Sequence, residues 1–345
     1  MFTIKNMRSN QITIKDIARI LGISPSTVSR ALKDHPDINV DTKKAVNDLA
    51  NKLKYRPNAV ALSLKNSRSN TIGVIIPEIV HYFFSSVISG IDDVASEKGF
   101  TVIICQSNES YDREVANSRT LLSHRVDGIL VSISKETNSF DHLTDLQESG
   151  IPLVFFDRIT SEVNADQVVI DDMEASYKAT RHLIENGRKR IAHFAGPQSL
   201  VIGRDRLQGY LNALTEAGLP IDNRLIIEAD DFEKARNTVV ELIDAGNIPD
   251  GIFAVNDLTA IGAMQTFQKK GYKVPDDISI VGFSDGRFSG ITDPNLTSVD
   301  QHGYEMGTTA AEMLFQRILS NESEYIPEVK ILNADLIVRG SSVRE

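Results

Sequence analysis

The spacing of apolar positions changes along the chain. From residue 13 to about 55 apolar side chains recur at helical intervals: Ile17, Ala18 and Leu21; then Val28, Ala31 and Leu32; then Ala45, Val46, Leu49, Ala50 and Leu53. This predicts three short helices. Thr13 with Asp16 three residues on forms a capping-box pattern for the first. Gly22 supplies a sharp turn, Ser24 a good N-cap, and Pro25 sits where its missing N–H costs nothing. Asp41 is placed as the cap of the third helix. On the second helix Pro25, Ser26, Ser29 and Arg30 point away from the apolar face. Two short helices joined by a glycine turn match a helix-turn-helix. Small residues at the start of the second would let it approach the floor of a major groove, where Arg30 could reach a guanine edge or a phosphate. An ordinary three-helix packing unit produces the same pattern.

Beyond residue 70 the period alternates. Short β-branched runs at 71–76, 101–105, 127–133, 151–156, 167–170, 190–195, 224–228, 250–254 and 278–282 are separated by helical stretches. The helices are placed at 83–98, 112–124, 140–149, 172–186, 203–217, 232–245, 257–270 and 303–319. Such alternation predicts an α/β body with parallel sheets covered by helices on both faces. Its length suits two lobes better than one sheet. The polar stretch Asn66, Ser67, Arg68, Ser69, Asn70 has the character of a linker. A helix as short as 58–65 is marginal alone in water and would order only with a partner and DNA.

Charge divides the chain at the same place. The whole carries a net −10, which by itself argues against a nucleic-acid partner. Residues 1–70, however, hold 13 Lys/Arg against 5 Asp, a net of +8, and the remainder carries −18. A basic module on an acidic body suits phosphate contact; a solvated helical surface is the other reading. No apolar run approaches the ~20 residues of a membrane span. The first residues lack a signal-peptide h-region, so a cytoplasmic protein is expected. One cysteine, Cys105, excludes an internal disulfide. No P-loop, dinucleotide fingerprint or zinc-protease motif is present, so no cofactor or metal is expected.

The run Thr13-Ile14-Lys15-Asp16-Ile17-Ala18, with Gly22-Ile23-Ser24-Pro25-Ser26-Thr27-Val28-Ser29-Arg30-Ala31-Leu32, resembles the headpiece of the lac repressor (LacI/GalR) family of bacterial transcription regulators. The stretch Leu53-Lys54-Tyr55-Arg56-Pro57-Asn58-Ala59-Val60-Ala61-Leu62-Ser63-Leu64 resembles that family's hinge segment. The resemblance implies a headpiece over 11–57, a hinge helix and linker over 58–70, and a two-lobed periplasmic-binding-protein-like body over 71–345. Lobe 1 is expected at about 71–158 and 299–319, and lobe 2 at about 166–283 and 327–345. Crossovers are expected near 158–166, 283–298 and 319–327.

The resemblance also implies roles. Pro25, Ser26 and Arg30 match the base-reading face. Thr13, Ser24, Thr27, Ser29, Tyr55 and Asn58 match phosphate or positioning contacts, and Ala61 lies in the hinge segment. Leu64 matches a leucine that wedges between base steps in the minor groove; a buried linker contact is its other reading. Ligands of parallel sheets sit beyond the carboxyl ends of the strands, where aromatic, Arg, Asn and Asp side chains suit a polyhydroxylated or heterocyclic molecule. Effector positions fall on Phe83, Phe84, Ser134, Arg206, Phe232, Asn256 with Asp257, and Ser284 with Asp285. The family usually has an aspartate at position 284, where this chain has Ser284; the carboxylate role passes to Asp285 or is lost. Leu200 and Ile202 stand where purine-binding relatives carry polar contacts, which argues against a purine.

The expected function is repression of transcription by a homodimer whose headpieces each read half of a pseudo-palindromic operator. A sugar or sugar derivative bound between the lobes would shift operator affinity. No heptad extension follows Arg339, so a dimer is expected and not a helix-bundled tetramer. Two alternatives fit parts of the sequence. Gly282-Phe283-Ser284-Asp285-Gly286 matches a serine-hydrolase elbow, with Asp293 or Asp300 and His302 downstream, but Gly290, Thr292 and Pro294 break the helix an elbow needs. A plain solute-binding protein is opposed by the basic headpiece and the missing signal peptide.

Overall fold

The computed structural model describes residues 12–55, 68–320 and 325–343. The chain divides into two compact units, with the boundary in sequence between Ser69 and Asn70. The expectations for Asn58, Ala61, Leu64 and the hinge helix fall outside the described residues.

The smaller unit holds α1 (Ile14–Leu21), α2 (Pro25–Leu32) and α3 (Val40–Lys52). Its core is Ile17, Ala18, Val28, Ala31, Val46 and Ala50, with Leu21, Leu32, Leu49, Leu53 and Tyr55 packed at the edge. Ala45 is exposed, so the inward stripe of α3 is narrower than its apolar count suggests. Thr13 and Asp16 form both halves of the capping box on α1. Gly22 closes that helix at φ 65°, a left-handed conformation open to glycine without strain. The cap of α3 is Asn39, whose Oδ1 accepts from the Thr42 N–H at 2.7 Å, and not Asp41. Asp41 lies in the first turn, where its charge still complements the helix dipole.

The larger unit is built on two six-stranded sheets. Its strands are β1 (Thr71–Ile76), β2 (Thr101–Gln106), β3 (Gly128–Val131), β4 (Leu153–Phe156), β5 (Asp166–Ile170), β6 (Ile191–Ala195), β7 (Ile226–Glu228), β8 (Gly251–Ala254), β9 (Ser279–Phe283), β10 (Thr297–Asp300), β11 (Val329–Leu332) and β12 (Asp335–Ile337). Its helices are α4 (Tyr82–Glu97), α5 (Tyr111–Ser123), α6 (Asp141–Glu148), α7 (Asp172–Glu185), α8 (Val201–Glu216), α9 (Phe232–Asp244), α10 (Asp257–Lys269) and α11 (Gly303–Leu319). Lobe 1 has the order β11-β5-β4-β3-β1-β2 and lobe 2 the order β12-β10-β9-β8-β6-β7. All strand pairs are parallel except β10 with β12.

The lobe boundaries differ from the expected ones. β5 pairs with β4 in lobe 1, so the first crossover follows Ile170 and does not lie at 158–166. The apolar positions of β5, Val168 and Ile170, join the core that holds Val154 and Phe156. β10 pairs with β9 in lobe 2, which moves the second crossover to Gln301 and His302. β11 belongs to lobe 1 and β12 to lobe 2, so the third passes through Asn333 and Ala334. Two helix pairs brace the lobes, α4 against α11 and α7 against α8. Each crosses at glycine: a Cβ on Gly307 would overlap the Val87 carbonyl, and one on Gly209 would overlap the Met173 carbonyl.

Candidate ligand cleft and DNA-reading surface

In the smaller unit the α2 start is held open to solvent by local bonds. Ser24 Oγ accepts from the Thr27 N–H at 3.0 Å and lies 2.7 Å from the Ser26 hydroxyl. Ser24, Pro25 and Ser26 are exposed, Thr27 and Ser29 half-buried, and Val28 fully buried beneath them. The Arg30 side chain is 58% exposed, with its nearest carboxylate, Asp37, at the 4.0 Å limit of an ion pair. Thr13 is exposed at the α1 start, and Tyr55 packs half-buried on the core, where desolvation raises its phenol pKa. A rigid helix end with short polar side chains and a reachable guanidinium can enter a groove and donate to base edges or phosphates.

In the larger unit a cleft of about 190 Å³ lies between the lobes. Its walls come from the carboxyl ends of the strands, as expected for open parallel sheets. Lobe 1 contributes Glu78, His81, Phe83 and Phe84 after β1, Glu109 after β2, Lys135 after β3, and Asp157 and Arg158 after β4. Lobe 2 contributes Gly196, Pro197, Leu200, Ile202 and Arg206 after β6, Asp230 and Asp231 after β7, Val255 and Asn256 after β8, Ser284 after β9, and Gln301 after β10.

Arg206 is the most tightly fixed of these. Its Nε donates to Asp172 Oδ1 at 2.7 Å, a terminal nitrogen donates to the Val255 carbonyl at 2.7 Å, and its guanidinium lies 3.7 Å above the Phe283 ring. Burial pushes the Asp172 carboxyl up to about 6 against the pull of Arg206. Asp157 is also raised by burial, and it accepts one long hydrogen bond, from Gln301 Nε2 at 3.3 Å. Arg158 forks onto Glu109 at 2.8 and 2.9 Å and faces the Phe84 ring at 5.8 Å. Lys135 of lobe 1 reaches across to Asp230 of lobe 2 at 3.0 Å. Asn256 caps α10 and donates to the Asp230 carbonyl, so its amide is oriented before any ligand arrives.

Of the expected effector positions, Phe83, Phe84, Arg206, Asn256 and Ser284 line this cleft, and four others do not. Ser134 is buried, its N–H donating to Glu114 at 2.6 Å and its hydroxyl paired with Thr137. Phe232 starts α9, with its ring next to Arg236. Asp257 is enclosed by donors from Gly286, Ser289 and Ser298, and burial lifts its carboxyl to about 6. Asp285 is clamped by Arg339 at 2.5 and 3.0 Å, so it does not stand in for an aspartate at 284. Glu78, Glu109, Lys135, Asp230 and Gln301 line the cleft although no motif marks them. All lie just past a strand end, which is the only signal that could have found them.

The elbow is likewise resolved. Only a short 3-10 turn, Arg287–Gly290, follows Ser284. The Ser284 hydroxyl donates to Gln301 at 2.8 Å, while the His302 ring is held by Asp300 and Asp335. The Ser284 hydroxyl is thus bonded to Gln301 and not to His302, the histidine that the elbow pattern would need.

A ligand cleft between two hinged lobes, together with a helix-turn-helix, defines a ligand-controlled DNA-binding regulator. The family model described as periplasmic binding proteins and sugar binding domain of LacI family matches residues 69–339, and that of bacterial regulatory proteins, lacI family, matches 13–58. The chain belongs to the LacI family of bacterial transcription regulators. It is 34% identical to catabolite control protein A of Priestia megaterium, over 88% of this chain and 91% of that protein. It is 34% identical to the HTH-type transcriptional repressor PurR of Vibrio atlanticus (strain LGP32), over 90% and 93%. A solved complex of the transcriptional regulator CelR with cellobiose is 29% identical, covers 96% of this chain and 99% of that one, and superposes with a TM-score of 0.72. The expected DNA-binding regulator and its two-lobed fold are thus established. Among the described residues no helix is long and apolar enough to cross a membrane.

Proposed function

We propose that the protein is a cytoplasmic, non-enzymatic repressor that binds a pseudo-palindromic operator as a homodimer and is controlled by a small polyhydroxylated ligand in the interlobe cleft. The observation that carries this reading is the wall of pre-oriented polar groups, Arg206, Asp157, Arg158 and Asn256, beside the Phe83 and Phe84 rings, where the two lobes face each other. Rings suit the apolar face of a sugar, and forked donors and carboxylates suit its hydroxyls. A relative solved with cellobiose supports a saccharide. Leu200 and Ile202 present aliphatic surface to the cleft, which argues against a purine.

Both lobes contribute to the site, so a ligand that prefers one lobe arrangement shifts the equilibrium between arrangements, and with it DNA affinity. Pro25, Ser26 and Arg30 read bases, Thr13, Ser24, Thr27, Ser29, Tyr55 and Asn58 hold the backbone, Leu64 wedges the minor groove, and Ala61 is a further DNA contact. The test is a thermal-shift screen of sugars, sugar phosphates and nucleosides, followed by titration of each stabilising compound into the complex with a duplex selected from a random pool. A hit should change DNA affinity at least ten-fold, in the usual range for coupled sites. A compound that binds the cleft and leaves DNA affinity unchanged would contradict the proposal.

A further inference from the structure

On the reading that the cleft binds the controlling ligand, its charges restrict what that ligand can be. Five carboxylates, Glu78, Glu109, Asp157, Asp230 and Asp231, line it against three cationic side chains, Lys135, Arg158 and Arg206. Each of those cations already rests on a carboxylate. Arg158 is forked onto Glu109 at 2.8 and 2.9 Å, Lys135 meets Asp230 at 3.0 Å, and Arg206 meets Asp172 at 2.7 Å. An anionic ligand would have to displace one of these carboxylates, and would add charge to a negative cleft whose walls screen it less than water does.

The groups left with capacity point the other way. The buried Asp157 carboxylate accepts one side-chain hydrogen bond, from Gln301 at 3.3 Å, although a carboxylate can accept about four. Arg158 Nε is buried without an acceptor and lies 3.9 Å from Asp157 Oδ2, too far for a direct hydrogen bond. An acceptor with spare lone pairs next to a donor with no partner is what a hydroxyl satisfies, because it donates to one and accepts from the other. An ionised phosphate or carboxylate group set beside Asp157 has no proton to give it and meets it as a second anion.

We infer that the cleft is a charge filter: it takes a hydroxyl-bearing ligand without negative charge and rejects the phosphorylated or carboxylated form of the same ligand. The experiment is calorimetric titration of the full chain with matched pairs, neutral saccharides and nucleosides each beside its phosphate or uronate, at one salt concentration. At least one neutral compound should bind, and its anionic counterpart should bind at least ten-fold more weakly. Asp230→Asn, which removes the carboxylate shared by Lys135 and Lys234, should narrow that gap, with an unchanged melting temperature showing an intact fold. An anionic form that binds as tightly as its neutral partner would overturn the inference. So would a protein that binds none of the neutral compounds yet still prefers a selected duplex over random DNA, an outcome that leaves the regulator reading standing. Loss of duplex preference as well would remove the regulator reading itself.

Discussion

The helix-turn-helix and the cleft use arginine in opposite ways. In the smaller unit Arg19 and Arg30 are 76% and 58% exposed, and their acidic neighbours sit at 3.3 and 4.0 Å. In the larger unit Arg206 is 5% exposed and locked to Asp172 and a backbone carbonyl. An exposed guanidinium keeps its hydration until a phosphate or base replaces it, so its interaction energy is reserved for a partner. A buried, bonded guanidinium has made its interactions on folding and acts afterwards as a fixed wall. On the proposed reading the headpiece holds these charges for DNA, whereas the cleft has spent Arg206 internally and offers a ligand orientation.

That contrast predicts the largest effect for Arg206→Ala. It leaves Asp172 buried without its partner, which should cost the body about 3–5 kcal/mol by calorimetry and abolish ligand binding. The ligand-free affinity for DNA should fall far less; an equal loss of DNA affinity would erase the distinction between the units.

The next effect is pH-dependent and confined to the body. His193 is buried, and desolvation lowers it to about 4. A depressed base adds stability above pH 6.5 that is lost as pH falls toward 4, roughly 2 kcal/mol between pH 7 and 5. Asp172 and Asp257, raised to about 6, act in the opposite sense: their contribution is fully present below about 4 and lost as pH rises through 6. The two trends offset in the wild type. His193→Phe keeps the stacking on Phe253 and removes one trend, so its melting temperature should rise as pH falls from 7 to 5. A variant that tracks the wild type across that range would contradict this assignment.

Arg30→Ala should weaken binding to a selected duplex by about 1–3 kcal/mol and relax preference at one base position, with no change in ligand affinity. A uniform loss across all sequences would make Arg30 a phosphate contact instead. The smallest effect is expected for Ser24→Ala. Loss of the α2 cap should cost about 1 kcal/mol of headpiece stability and leave the body's transition in place.

The sequence shows local structure more clearly than long-range pairing. The capping box of α1, the Ser24-Pro25 start of α2 and every helix of the body follow from periodicity and caps, because those signals lie within one or two turns. The strands β10, β11 and β12 are three or four residues long and have no alternation to detect. Which sheet they join is decided by partners more than 15 residues away, which shifts the second and third crossovers, while the first shifts because β5 pairs with β4 in lobe 1. The same limit applies to the cleft. Phe83, Phe84, Arg206, Asn256 and Ser284 stand in it, whereas Asp257 and Asp285 are absorbed by Ser298 and Arg339, partners that no local pattern reveals.

The most direct measurement is the affinity of the purified full chain for a duplex selected from a random pool, set against random duplex of equal length at the same salt. The account predicts a preference of at least about 10³, changed at least ten-fold by a neutral ligand of the cleft. A ratio near one at every salt and ligand concentration would contradict it.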